Sequence, residues 1–276
     1  MANYVKIAGY PVLLRVAIFL LGLSLLWLPL ATPIYLLVKD SNLATILTMA
    51  LLFTEFIFLV RWWGFSVYKQ GNLLKSYGLI GTRQNGLDVL RGLALGALLT
   101  FSLFGFQGLF GWLTWQGNEA LPRFILEGMA TALGVGFAEE LVFRGWLLNE
   151  LERDYNLGVS LGVNGMVFAL SHFLKPLSEM LRTWPQFPGL LLLGLILVWA
   201  KRLRGGLGLP IGFHAGLIWS YYIINVGNLV NYSGVVPDWV TGVNRNPLAG
   251  AIGLVFLGLM ALGMGRFASV QKAVIK

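Results

Sequence analysis

VAIFLLGLSLLWLPLATPIYLLV, residues 16–38, runs for 23 residues without a charge between Arg15 and Lys39. About 20 apolar residues suffice for a helix to cross the hydrocarbon core of a bilayer. The run exceeds the 7–15 apolar residues of a signal peptide and lacks a small-residue cleavage site, so it is expected to persist as a spanning helix. Similar runs cover roughly Leu43–Val60, Leu93–Leu113, Phe124–Leu148, Leu157–Leu174, Phe187–Ala200, Leu207–Val226 and Ala249–Phe267. Phe187–Ala200 is short and bounded by Pro185 and Pro188, so it is expected to be tilted, partly re-entrant or covered by neighbours. The expected fold is all-α: a polytopic integral membrane helix bundle of about eight transmembrane helices, or seven, in one membrane domain over residues 1–276.

The whole composition agrees. Hydrophobic residues make up 57% of the 276 and charged residues 12%, with a mean hydropathy of +0.74. A soluble domain has about 25% charged residues, and a disordered chain needs low hydrophobicity. The chain has no cysteine, which excludes disulfide scaffolds, thiolate zinc sites, iron–sulfur clusters and cysteine nucleophiles. The net charge is +8, spread over short loops, so membrane lipids are expected partners and nucleic acid is not. With the N-terminus inside and eight crossings, 14 Lys and Arg fall inside, and 5 outside: Lys39, Arg123, Lys175, Arg182 and Arg245. That bias puts both termini in the cytoplasm, in a multi-pass protein of a cell (inner) membrane or an internal membrane of a prokaryote or organelle. Segment 61–91, with five basic residues and Trp62, Trp63, Phe65, Tyr68 and Tyr77, reads as a cytoplasmic interfacial stretch or as an ordinary basic loop with an aromatic anchor. Three ridges of small residues, Gly92/Gly96, Gly158/Gly162 and Gly208/Gly212/Gly216, suit close helix packing; only the third brackets a histidine.

A charge at mid-membrane costs about 2.5–3.5 kcal/mol on insertion scales and is a functional candidate by default. Gly136-Phe137-Ala138-Glu139-Glu140-Leu141-Val142-Phe143-Arg144 puts three such charges in one run. Glu140 and Arg144, four apart, share a helix face and can pair. Glu139 points about 100° away and needs another partner. Glu140 is thus the structural carboxylate, and Glu139 the candidate proton acceptor. The bland alternative is a solvated helix end, because Glu150, Glu152, Arg153 and Asp154 follow. Glu55, near the end of its run and close to Arg61, and Glu127, one turn from Arg123, call only for snorkelling or local pairing. The chain has two histidines. His172, in Phe168-Ala169-Leu170-Ser171-His172, and His214, in Gly212-Phe213-His214-Ala215-Gly216, fall in two further spanning runs. Each alone is more often a packing residue; together with the carboxylates they can converge inside the bundle.

At these residues the chain resembles the CAAX protease and bacteriocin-processing family of intramembrane glutamate proteases. That family shows Glu-Glu-x-x-x-Arg, Phe-x-x-x-His and His-x-x-x-Asn on separate helices of an eight-helix bundle. Glu139, Glu140 and Arg144 match the first motif, Phe168 and His172 the second, and His214 opens the third; the resemblance covers about 121–226. It implies an intramembrane endopeptidase with no cofactor, in which Glu139 and His172 activate water, Glu140 and Arg144 hold the helix, and His214 with an Asn donates to the oxyanion. Implied substrates are membrane-anchored peptides or proteins: prenylated Cys-a-a-X termini in some relatives, bacteriocin leaders in others.

Four residues after His214 stands Ile218, which cannot donate. Ser220 lies on another face. Tyr221 and Asn225 share the face of His214 at two and three turns, about 10.5 Å away for Tyr221. Trp219 and Asn164 are other candidate donors. A second reading is therefore a catalytically weak relative that binds, scaffolds or assembles membrane proteins. A third makes Glu139, His172 and His214 ligands of a zinc ion, though without the usual His-Glu-x-x-His spacing. Neither the substrate nor the oligomeric state can be read from the sequence. The topology also sets His172 near the outer end of its run, away from Glu139 and His214, so that helix must start deeper or tilt if the three meet.

Overall fold

Every apolar run becomes a helix in the computed structural model, which describes residues 4–274. Helix α1 (Val12–Leu37) and α2 (Ser41–Ser66) form a hairpin, in which Asp40 caps α2 by accepting from the Leu43 amide. A one-turn helix α3 (Leu73–Ser76) leads to α4 (Arg83–Leu109). After β1 (Leu113–Trp115), helix α5 (Leu121–Glu140) continues through a π-helical segment, Leu141–Leu147, into α6 (Leu148–Asp154). Two residues, Tyr155 and Asn156, reverse the chain into α7 (Leu157–Ser171), which Asn156 caps. There follow α8 (Leu177–Thr183), α9 (Phe187–Arg204) and α10 (Gly208–Asn225). A long connection holds β2 (Val230–Tyr232), paired antiparallel with β1, and α11 (Asp238–Thr241) before α12 (Ala251–Val274).

The all-α class holds, and five stretches are long and apolar enough to cross a membrane among the described residues: Val12–Leu37, Ser41–Ser66, Arg83–Leu109, Leu177–Arg204 and Ala251–Ala268. The other expected crossings are α5 with its continuation, α7 and α10. Helix α7 has only 15 residues, and α5 carries the site charges. Helix α10 buries Pro210, Ile211, Phe213, His214, Ala215, Ser220, Ile223 and Ile224. Helices covered by other helices need no continuous apolar envelope. The expectation of a shortened Phe187–Ala200 run is corrected: the helical path extends from Leu177 to Arg204. Pro185 and Pro188 fall in first helical turns, where the missing N–H has no helical partner anyway.

Segment 61–91 comprises the end of α2, α3 and the start of α4. Trp63 and Tyr77 are buried. The Tyr68 hydroxyl donates to Glu150 at 2.6 Å; burial and that carboxylate push the phenol up to about 12. Glu150 also takes Arg15 Nε at 2.9 Å, and Asp154 lies 3.0 Å from the same guanidinium. This network ties α1 to α6. Around it Phe19 packs its ring on Phe56, Trp63 and Trp146.

Two of the glycine ridges mesh with each other. A Cβ on Gly212 would overlap Val89 O, one on Gly216 Leu93 O, and one on Gly96 Phe213 O. Helices α4 and α10 therefore touch backbone to backbone. Gly162 has open space around its Cβ position. Gly212→Ala is expected to destabilise the protein by about 1–3 kcal/mol through overpacking. Gly162→Ala is expected to be neutral or slightly stabilising, as helical Gly→Ala is where space allows. Denaturation of both variants in detergent micelles checks this; equal midpoints would remove the close-contact account.

Candidate active site

The Glu-Glu pair closes α5 and Arg144 lies in the π-helical segment that follows. Such wide turns inside helices are frequent at functional sites. Gly136, one turn before Glu140, lets α5 approach α10: its Cβ would stand 3.1 Å from Ile211 O and 3.2 Å from Ala215 N. That approach sets Glu140 against His214.

Glu140 and Arg144 are both fully buried, with Arg144 Nη1 donating to Glu140 Oε1 at 3.0 Å. The same Oε1 lies 2.8 Å from His214 Nδ1. Arg144 Nη2 donates to Gly194 O at 3.1 Å, and its guanidinium stacks over the Phe168 ring at 4.2 Å. Phe168 also meets the His172 and His214 rings, with centroids 4.8 and 5.9 Å away. The Phe of Phe-x-x-x-His is thus the apolar hub of the cluster. It lies against both the Arg144 guanidinium and the His172 ring.

Glu139 turns the other way. Its side chain and that of His172 are each 31% exposed, with Oε2 and Nε2 3.9 Å apart. His172 Nδ1 lies 2.8 Å from Phe168 O. A carbonyl only accepts, so Nδ1 carries a hydrogen and the neutral ring presents its lone pair at Nε2, toward Glu139. His172 can do this because it caps α7, where the last carbonyls have no helical partner. The expected mismatch in depth disappears. Glu139 lies 15 residues before Asp154 and His172 15 residues after Leu157, so at 1.5 Å per residue both stand about 22 Å from the same tight turn.

Glu139, His172 and His214 line one cavity of about 330 Å³, within the range of small-molecule and peptide side-chain sites. Its walls are mostly apolar, from α4, α5, α9, α10 and α12, among them Leu99, Leu193, Leu217, Ile218 and Phe256. Glu140 and Arg144 do not reach it. Of the donors considered beside Ile218, Tyr221 lines the cavity, and Trp219, Asn164, Asn225 and Ser220 do not. Trp219 Nε1 is given to Ile125 O, and Asn164 Nδ2 to Phe143 O. Among the described residues no three His, Asp or Glu side chains are gathered to hold a metal.

Lys201 carries a contact that the sequence did not signal: counted as a loop charge, it lies in the last turn of α9 and its Nζ donates to Arg144 O. Gln186, Thr100 and Asn246 also line the cavity; Asn246 arrives on the connection before α12, where no motif marks it. Of the minor intramembrane charges, Glu127 pairs with Arg123 at 2.7 Å as expected. Glu55 does not pair with Arg61, and its Oε2 is buried without a hydrogen-bond partner.

Residues 120–220 match the family model Rce1-like, described as type II CAAX prenyl endopeptidase Rce1-like. The resemblance read from the three motifs therefore holds over the segment that contains them. No curated protein and no solved structure matches the chain at a significant level.

Proposed function

We propose that this chain, whose residues 120–220 match the Rce1-like type II CAAX prenyl endopeptidase family model, is an intramembrane endopeptidase that hydrolyses a peptide bond of a membrane-associated substrate. The observation that carries the reading is the facing of Glu139 and His172 across 3.9 Å in one largely apolar cavity. That gap is too long for a direct hydrogen bond and suits a water held by both groups. Glu139 takes the water proton as the oxygen attacks the scissile carbonyl, and His172 Nε2 accepts the water's other hydrogen as a hydrogen bond. That proton then passes from Glu139 to the leaving nitrogen as the C–N bond breaks, and the water's second hydrogen follows through His172, giving a carboxylate and an ammonium. Positive charge arising on His172 is favoured by the C-terminus of α7 beside it.

Glu140, Arg144 and Phe168 hold this arrangement without touching substrate. His214 has its Nδ1 on Glu140, so it donates from Nε2 only as an imidazolium, whose charge the Glu140 carboxylate balances. Ile218, in the cavity wall, is the observation that favours the second reading, a membrane protein binder or assembly factor with little activity.

The test is cleavage by purified protein in micelles of a peptide panel that includes a farnesylated Cys-a-a-X peptide and its unmodified form. Cleavage by the native protein and none by Glu139→Gln is expected. Native protein that cleaves nothing, or a Glu139→Gln variant as fast as the native one, overturns the endopeptidase reading. Activity is also expected to survive dialysis against a chelator, with metal content measured; loss restored by zinc would reinstate Glu139, His172 and His214 as ligands.

A further inference from the structure

We propose that Asn246 supplies the amide donor to the oxyanion that position 218 cannot, reaching the site from the α10–α12 connection rather than from α10; this rests on the endopeptidase reading above. Besides Glu139, His172 and His214, four polar side chains line the cavity: Thr100, Gln186, Tyr221 and Asn246. Among the described residues Thr100 makes no hydrogen bond that fixes its hydroxyl. Among the described residues Gln186 likewise has no hydrogen bond to fix its longer side chain. Tyr221 directs its hydroxyl to Arg245 O at 3.4 Å. Asn246 alone among them has its carboxamide set by a short bond, Oδ1 accepting from the Leu248 amide at 2.9 Å. The only acceptor of a carboxamide is its oxygen, so this bond also settles which end is NH2. Both amide hydrogens are left free for a ligand.

The turn that carries Asn246 is held tightly by glycines. A Cβ on Gly242 would overlap Asn246 O, one on Gly189 of α9 Leu248 O, and one on Gly253 of α12 Pro247 O. Three glycines on three elements thus let backbone press on residues 246–248 from different sides. Tyr221 adds its bond to Arg245 O, and Asn244 Nδ2 donates to Arg182 O at 3.4 Å. A donor fixed before substrate arrives needs no reorganisation as charge develops, the property that makes oxyanion donors effective. A short side chain on a clamped turn has it; a flexible one does not.

The experiment measures kcat and KM of the purified protein on the farnesylated Cys-a-a-X peptide, or on the panel peptide it cleaves. Asn246→Ala is expected to lower kcat about 10²–10³-fold with KM within about twofold, as for loss of one oxyanion donor. Asn246→Asp keeps the acceptor for the Leu248 amide and removes the donor; it is expected to lose at least as much kcat with the native thermal midpoint. Adding Ile218→Asn to Asn246→Ala is expected to recover about tenfold or more. Native kcat in both Asn246 variants, with Glu139→Gln inactive, overturns this assignment and leaves the endopeptidase intact. A Glu139→Gln variant that cleaves normally removes both.

Discussion

Glu139→Gln is expected to lower kcat for peptide cleavage by about 10²–10⁴-fold, the range of positioned acid–base groups, and to leave stability almost unchanged. The amide keeps the size of the carboxylate and cannot take the water proton. The small stability effect follows from position: the Glu139 side chain is 31% exposed in the cavity and has no ion pair except the 3.9 Å approach to His172. His172→Gln is expected to cost less, about 10²-fold, because the carboxylate still accepts the proton while the water loses one of its two holders. The double variant is expected to be no slower than Glu139→Gln alone, since groups that act on one water are not additive. Single-turnover rates at saturating peptide check this. A double variant slower than Glu139→Gln by the full His172 factor would mean that the two residues act separately.

The sequence made the chemistry-bearing residues legible because lipid makes charges expensive. Glu139, Glu140, Arg144, His172 and His214 stand out against uncharged neighbours in a way they would not in a soluble helix. The split between Glu140 and Glu139 is readable from helical period alone, and in the structure Glu140 meets Arg144 and His214 while Glu139 faces His172. What periodicity could not give was depth. The turn at Tyr155 and Asn156 and the unbroken continuation of α5 into α6 place Glu139 level with His172, whereas the apolar run Phe124–Leu148 stops at the first residue of α6. Nor could it give Asn246, which reaches the cavity through a connection whose path depends on Gly189, Gly242 and Gly253 packing against carbonyls. Glycine contacts of this kind belong to tertiary structure. Of the three ridges, Gly92/Gly96 and Gly208/Gly212/Gly216 were equally visible with Gly158/Gly162, yet only the first and third find each other.

Arg144→Met is expected to destabilise the fold by about 3–5 kcal/mol, the cost of leaving a buried charge unpaired. Removal of the guanidinium strands the Glu140 carboxylate at zero exposure, with only His214 Nδ1 left to it. It also removes the second donor to Gly194 O, which keeps its bond within α9. Glu140→Leu is expected to cost a similar amount by stranding Arg144. The double variant Glu140→Leu with Arg144→Met is expected to cost less than either, about 1–3 kcal/mol, since no charge is left buried alone. What remains is the His214 ring nitrogen, a neutral polar group, and a Gly194 carbonyl reduced to its bond within α9. The native pair is not ideally satisfied: Glu140 Oε2 and Arg144 Nε have no hydrogen-bond partner, which narrows the advantage of the pair over an apolar replacement. Denaturation midpoints in micelles for the four proteins close the cycle. Additive losses would show that the two residues do not stabilise each other, and Glu140 would then need another role. A stable double variant that cleaves no peptide is the expected combination: the pair serves the site by holding His214 and the helix register, and stability alone does not require it.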